Sequence, residues 1–172
     1  MRNNFLCTNI ALFEVVRVWD WVKMDLNVVI EGIKMRGRSS SLGYFGASTP
    51  LETQFILENE SSACVVDVRT RAEWAYVGAV PGSVQIEWQS FPTGELNEAF
   101  LTQLQKTVPS DAYVMFLCRS GARSHAAASL AASVGYTKAI NILDGFEGDR
   151  DSSGHRGTVA GWKFCKLPWI QG

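Results

Sequence analysis

Tyr113-Val114-Met115-Phe116-Leu117 is an apolar run in which no polar residue alternates. A strand with one wet face alternates, so a run that is apolar throughout needs cover on both sides, as a parallel sheet between helices provides. Residues 63–68, 84–86 and 138–142 carry similar short strand signals. Helix starts stand between them. Thr49-Pro50-Leu51-Glu52 offers an N-cap, a proline at the first helical position and a glutamate at the third, and Thr70-Arg71-Ala72-Glu73 is a second capping box whose helix is expected to end by Gly78. Asn97 is expected to cap a helix that turns Phe100, Leu101 and Leu104 to one side. Residues 122–134 form an Ala-rich helix stopped by Gly135. This alternation predicts an α/β fold, a three-layer sandwich with a mostly parallel, roughly five-stranded sheet covered by helices on both faces.

The chain has 172 residues, 47% of them hydrophobic, which is enough for one domain with a sizeable core. A net charge of −1 creates no field that would recruit nucleic acid or an anionic membrane. Cys7, Cys64, Cys118 and Cys165 are widely spaced, with no Cys-x-x-Cys pair and no His-rich companion. That spacing argues against a zinc site or a disulfide framework and suits a reducing, cytoplasmic setting. Residues 1–43 read as an N-terminal extension and linker ahead of a domain at 44–172. Residues 5–22 are apolar but are interrupted by Glu14, Arg17 and Asp20, so they form neither a membrane span nor a clean signal core. Met24 and Met35 are alternative starts, and residues 36–41 read as a linker.

Cys118 opens the segment Cys118-Arg119-Ser120-Gly121-Ala122-Arg123-Ser124, behind the apolar run and ahead of the Ala-rich one. A thiol is thus placed where a buried strand ends and a helix begins. The first amides of a helix lack backbone partners and carry the positive end of its dipole, so an anion beside them is stabilised. Arg119 and Arg123 add positive charge, and a cysteine in such surroundings is expected to ionise readily and act as a nucleophile. A cysteine behind a hydrophobic strand is also a common inert core residue. Two arginines, two serines and a glycine are poor core material and good material for an anion cradle.

The pattern at 118–124 resembles the active-site loop of the rhodanese-like sulfurtransferases. Two further segments agree with that family: Val65-Val66-Asp67-Val68-Arg69 followed by Glu73-Trp74, and Gly78-Ala79-Val80-Pro81-Gly82-Ser83, with Ala79 where the family commonly has His. The resemblance spans about residues 45–169. It implies a single rhodanese domain in which Cys118 carries a transferable sulfur as a persulfide. It also implies a small anionic donor such as thiosulfate, an acceptor that is cyanide, a thiol or a protein thiol, and no cofactor. The second reading is a persulfide relay or protein-binding module without turnover. Loop spacing argues against phosphatase chemistry: cysteine phosphatases on related folds place an arginine six positions after the cysteine, where this chain has Ser124.

In this reading the amides of residues 119–124 hold the persulfide, while the side chains of Arg119 and Arg123 bind the donor. Either arginine can instead form a structural ion pair, with Asp67 or Glu73 as partner. Asp67 and Arg69 end a strand beside the loop and can order it, or they can serve as cap or salt bridge. His125 reads as a surface histidine. Residues 149–154 begin like a calcium loop, but Ala160 occupies the position of the bidentate glutamate, so an ordinary polar turn and no metal is expected. The Gly-rich stretch from Gly145 to Trp162 is expected to wall the pocket or to lie on the surface anchored by Trp162 and Trp169. Whether Cys165 acts as a resolving thiol stays open.

Overall fold

The computed structural model describes residues 25–172. Its elements run α1 (Leu26–Ser39), β1 (Gly46–Ser48), α2 (Pro50–Asn59), β2 (Cys64–Asp67), α3 (Arg71–Tyr76), β3 (Val84–Gln85), α4 (Phe100–Thr107), β4 (Val114–Leu117), α5 (Ala122–Ser133) and β5 (Ala139–Ile142). The five strands form one sheet in the order β1-β5-β4-β2-β3, with every pairing parallel.

Strand β4 shows why the sheet needs two covers. Val114 and Phe116 point into a cluster with Phe100 and Leu104 of α4 and Ala127, Ala128 and Ala131 of α5. Met115 and Leu117 point the other way, to Val29, Ile30 and Ile33 of α1 and Phe55 and Ile56 of α2. All four β4 side chains are fully buried, which is the three-layer arrangement the unbroken apolar run requires. Among the described residues, no helix is long and apolar enough to cross a membrane.

Both capping boxes form. Thr49 Oγ1 accepts from the Glu52 amide at 3.2 Å while Glu52 Oε2 accepts from the Thr49 amide at 2.8 Å, and Thr70 with Glu73 repeats the exchange at 3.2 and 2.9 Å. Asn97 does not cap α4. Its Oδ1 accepts from the Ala99 amide and its Nδ2 donates to the Glu87 carbonyl, and the helix begins two residues later than expected, at Phe100.

The N-terminal side departs from expectation. The stretch read as a linker at 36–41 is helical through Ser39, and α1 buries Val29, Ile30 and Ile33 in the core ahead of residue 44. Strand β1, Gly-Ala-Ser, carries no β-branched or aromatic signal, so nothing local marks it as a strand. Tertiary packing selects it: α1 crosses so closely that a Cβ on Gly46 would overlap the Ile33 carbonyl, and one on Gly37 would lie 2.8 Å from the Phe45 carbonyl oxygen. The readings of residues 5–22 and Met24 lie outside the described residues.

Candidate functional site

Cys118 follows the last residue of β4, and its side chain is 1% exposed on the floor of an open pocket of about 710 Å³. Its sulfur accepts hydrogen bonds from the Gly121 amide at 3.1 Å and from Ser124 Oγ at 3.3 Å. Gly121 caps α5 with φ of 97°, a left-handed conformation that glycine adopts without strain, and no side chain caps the helix. The first amides of α5 therefore have no side-chain cap. Ser124, expected only as part of the backbone cradle, contributes its hydroxyl and is itself fully buried.

The loop is held from behind. Phe146 N donates to the Cys118 carbonyl at 2.8 Å, and Glu147 N and Gly148 N donate to the Arg119 carbonyl at 3.0 and 3.2 Å. In a trans peptide the N–H points opposite to its carbonyl, so these bonds turn the Arg119 and Ser120 amides away from residues 145–148. Residues 145–148 thus back the loop and are not a wall of the pocket. Trp162 is fully buried, and its amide donates to the Gly145 carbonyl at 2.9 Å, fixing that backing segment.

Gly145 has φ of 59°, and a Cβ there would overlap the Cys118 carbonyl oxygen and lie 2.7 Å from the Arg119 carbonyl carbon and 2.8 Å from the Ser120 nitrogen. Gly145→Ala is expected to cost about 2–4 kcal/mol, combining overpacking with a left-handed alanine. Because the displaced atoms belong to the loop, the reactivity of the Cys118 thiol should fall in protein that is still folded. Chemical denaturation and the rate of Cys118 alkylation check the two effects, and normal alkylation with lowered stability would show that the loop tolerates the shift.

The two arginines differ. Arg123 makes a fork with Glu73, Nη1 to Oε2 at 2.8 Å and Nη2 to Oε1 at 2.7 Å. This is the structural ion pair anticipated as the alternative, and it leaves little of the Arg123 charge uncompensated. Arg119 is exposed at the pocket and has no side-chain hydrogen bond or ion pair among the described residues.

Burial pushes the Glu73 carboxyl up, but hydrogen bonds from Arg123 and Thr70 and the Arg123 charge outweigh it and bring it down to about 2. A carboxyl depressed on folding contributes stability that is complete above its ordinary value of 4.5 and is lost as pH falls toward 2. The stability gap between the natural protein and Glu73→Gln should therefore be widest above pH 4.5 and shrink through that window. Denaturant midpoints taken along the window test this, and a constant gap would mean that the charge of Glu73 contributes nothing.

Asp67 and Arg69 are both completely buried and paired, Arg69 Nε donating to Asp67 Oδ1 at 2.9 Å and Nη2 to Oδ2 at 2.6 Å. Arg69 also donates to the Gly78 carbonyl at 2.7 Å and lies 4.0 Å above the Phe146 ring. The pair thus supports the backing segment and does not face the pocket. His125 is exposed, with Nδ1 2.7 Å from the Tyr44 hydroxyl, and burial pushes that phenol up to about 12. Neither residue lines the Cys118 pocket, and Cys165 does not either. Residues 149–154 form a polar turn: Asp151 spends its oxygens on the amides of Ser153 and His155 and on the Thr158 hydroxyl.

Sequence reasoning missed the upper walls. Tyr76 and Val77 at the end of α3 and the turn Gln89, Ser90, Phe91, Pro92 complete the pocket. The available signal was Phe91-Pro92 set among polar turn residues, an aromatic with no helix or strand to bury it.

Comparison with known proteins agrees with this geometry. Residues 49–150 match the family model of the rhodanese-like domain. The chain is 38% identical over 124 residues to uncharacterized protein RP600 of Rickettsia prowazekii, covering 71% of this chain and 93% of that one. It is 32% identical over 114 residues to a protein of Allochromatium vinosum named sulfurtransferase, covering 66% and 84%. The crystal structure of Rv0390 from M. tuberculosis superposes with a TM-score of 0.69 at 44% identity, covering 75% of this chain and 99% of that one.

Proposed function

From its membership of the rhodanese-like family, to which this chain belongs, we propose that it is a sulfurtransferase in which Cys118 shuttles a sulfane sulfur. The observation that carries the reading is a buried thiol whose sulfur accepts from the Gly121 amide and the Ser124 hydroxyl at the uncapped end of α5. Those donors stabilise negative charge on sulfur, whether on the thiolate or on the persulfide formed from it. In the first half-reaction the Cys118 thiolate attacks the outer sulfur of thiosulfate. The donor S–S bond breaks, sulfite leaves with the electron pair, and a persulfide remains. In the second, an acceptor such as cyanide or a thiol attacks the outer sulfur and Cys118 leaves as thiolate. No separate base is needed when the nucleophile is already ionised.

The loop amides and Arg119 hold the anionic donor, while Arg123, neutralised by Glu73, fixes the first turn of α5 against α3. The cycle suits a reducing compartment such as the cytoplasm. The decisive experiment mixes purified protein with thiosulfate and cyanide. Prompt thiocyanate formation supports the enzyme. A stable persulfide that cyanide leaves in place would favour the relay, and cysteine-dependent hydrolysis of an aryl phosphate without sulfur transfer would overturn both readings.

A further inference from the structure

The six-residue helix α3 ends in the pocket wall, where Tyr76 and Val77 stand, yet none of its residues is buried, so packing does not fix that end. A helix this short holds itself weakly, and its last carbonyls have no partners inside it. Its start is fixed by the Thr70–Glu73 capping box. Its end is fixed from outside: the carbonyls of Tyr76, Val77 and Gly78 accept from Gln171 Nε2 at 2.7 Å, Lys163 Nζ at 2.8 Å and Arg69 Nη2 at 2.7 Å. Lys163 and Gln171 lie beyond residue 150, where the match to the family model stops.

Residues 163–171 run along this end as a strap. Ala79 and Ile170 exchange amide–carbonyl bonds at 2.8 and 2.9 Å. Gly78 has φ of 105°, and a Cβ there would lie 2.6 Å from the Trp169 ring, so the indole rests on bare backbone. Lys163 Nζ stands 4.1 Å from the centroid of that ring and 5.4 Å from that of Phe146, whose amide holds the Cys118 carbonyl. The strap therefore joins the wall of the pocket to the loop at its floor. We propose that Lys163 and Trp169 are positioning residues: they hold the α3 wall in place and so determine how large a reagent reaches Cys118. This goes beyond the sulfur-transfer reading, because it applies to anything that must cross the pocket to the thiol.

The test compares two reagents with one electrophile and different bulk, N-ethylmaleimide and pyrenyl maleimide, with labelling at Cys118 resolved from the other cysteines by peptide mapping. In Lys163→Met the wall loses a charge-assisted bond and both ring contacts, so the rate ratio of the pyrenyl to the ethyl reagent should rise about tenfold. The amides of Val77 and Gly78 should exchange about tenfold faster in the same variant, while those of β4 keep their rates. Trp169→Ala spares the Lys163 bond and should raise the ratio about threefold. Lys163→Arg keeps a cation and a donor, and should hold the ratio within about twofold of the natural protein. A ratio that stays constant in Lys163→Met and Trp169→Ala, whatever their denaturation midpoints, would overturn the proposal and leave the strap a purely stabilising segment. So would a parallel rise in Cys64 labelling and β4 exchange, which signals opening of the whole fold. Neither maleimide rate involves sulfur transfer, so these outcomes leave that reading standing.

Discussion

Cys118→Ser is expected to come out of thiosulfate treatment with its mass unchanged, while the natural protein gains one sulfur. A serine hydroxyl stays protonated far above neutral pH, so the loop would hold a group that cannot attack a sulfane sulfur. The substitution changes little else. The oxygen can accept from the Gly121 amide and the Ser124 hydroxyl as the sulfur does, and the site is already lined by polar donors. The denaturation midpoint should therefore stay close to that of the natural protein, and the loss should be one of chemistry. Cys64 is no substitute nucleophile, because burial pushes its thiol up to about 11 and leaves it neutral near pH 7. Full loading of Cys118→Ser would move the nucleophile elsewhere in the chain, and peptide mapping of the added sulfur would locate it.

The same residues show which parts of the molecule a sequence can reveal. Features written in contiguous residues were legible. The apolar run at β4 implied a doubly covered sheet, and both threonine–glutamate capping boxes form as read. The strand–loop–helix order put Cys118 beside the Gly121 amide, which donates to its sulfur. Features made by long-range contact were not legible. Strand β1 exists because α1 crosses its glycine, and no propensity of Gly-Ala-Ser marks it. The choice of Glu73 as partner for Arg123 joins residues 50 positions apart, and the sequence offered it only as one option among several. The Gly-rich stretch after β5 reads equally as a pocket wall or as a surface loop anchored by Trp162 and Trp169, whereas its amides bind loop carbonyls and Gly145 is required by contact with the loop backbone.

Arg69→Met is expected to destabilise the fold by about 3–5 kcal/mol, because it strands the Asp67 carboxylate where no water reaches it. Asp67 ends β2, pairs in register with Leu117, and so lies one residue from the thiol-bearing position on the neighbouring strand. Its carboxylate receives three guanidinium bonds and also the Arg69 amide at 3.1 Å. Removing the guanidinium also leaves the Gly78 carbonyl without its donor and the Phe146 ring without its stacked cation. Phe146 supplies the amide that holds the Cys118 carbonyl, so loop positioning should suffer along with stability. Denaturant unfolding measures the first effect, and the rate of sulfur loading at low temperature, where the variant is folded, measures the second. The double variant Asp67→Asn/Arg69→Met separates the causes. It removes the stranded charge but keeps an acceptor for the Arg69 amide, so it should recover more than half of the lost stability. Loading should stay slow in it, because Phe146 still lacks its stacked cation. A double variant as unstable as Arg69→Met would show that the loss comes from the packing of the arginine, and one that loads at the natural rate would disconnect this pair from the loop.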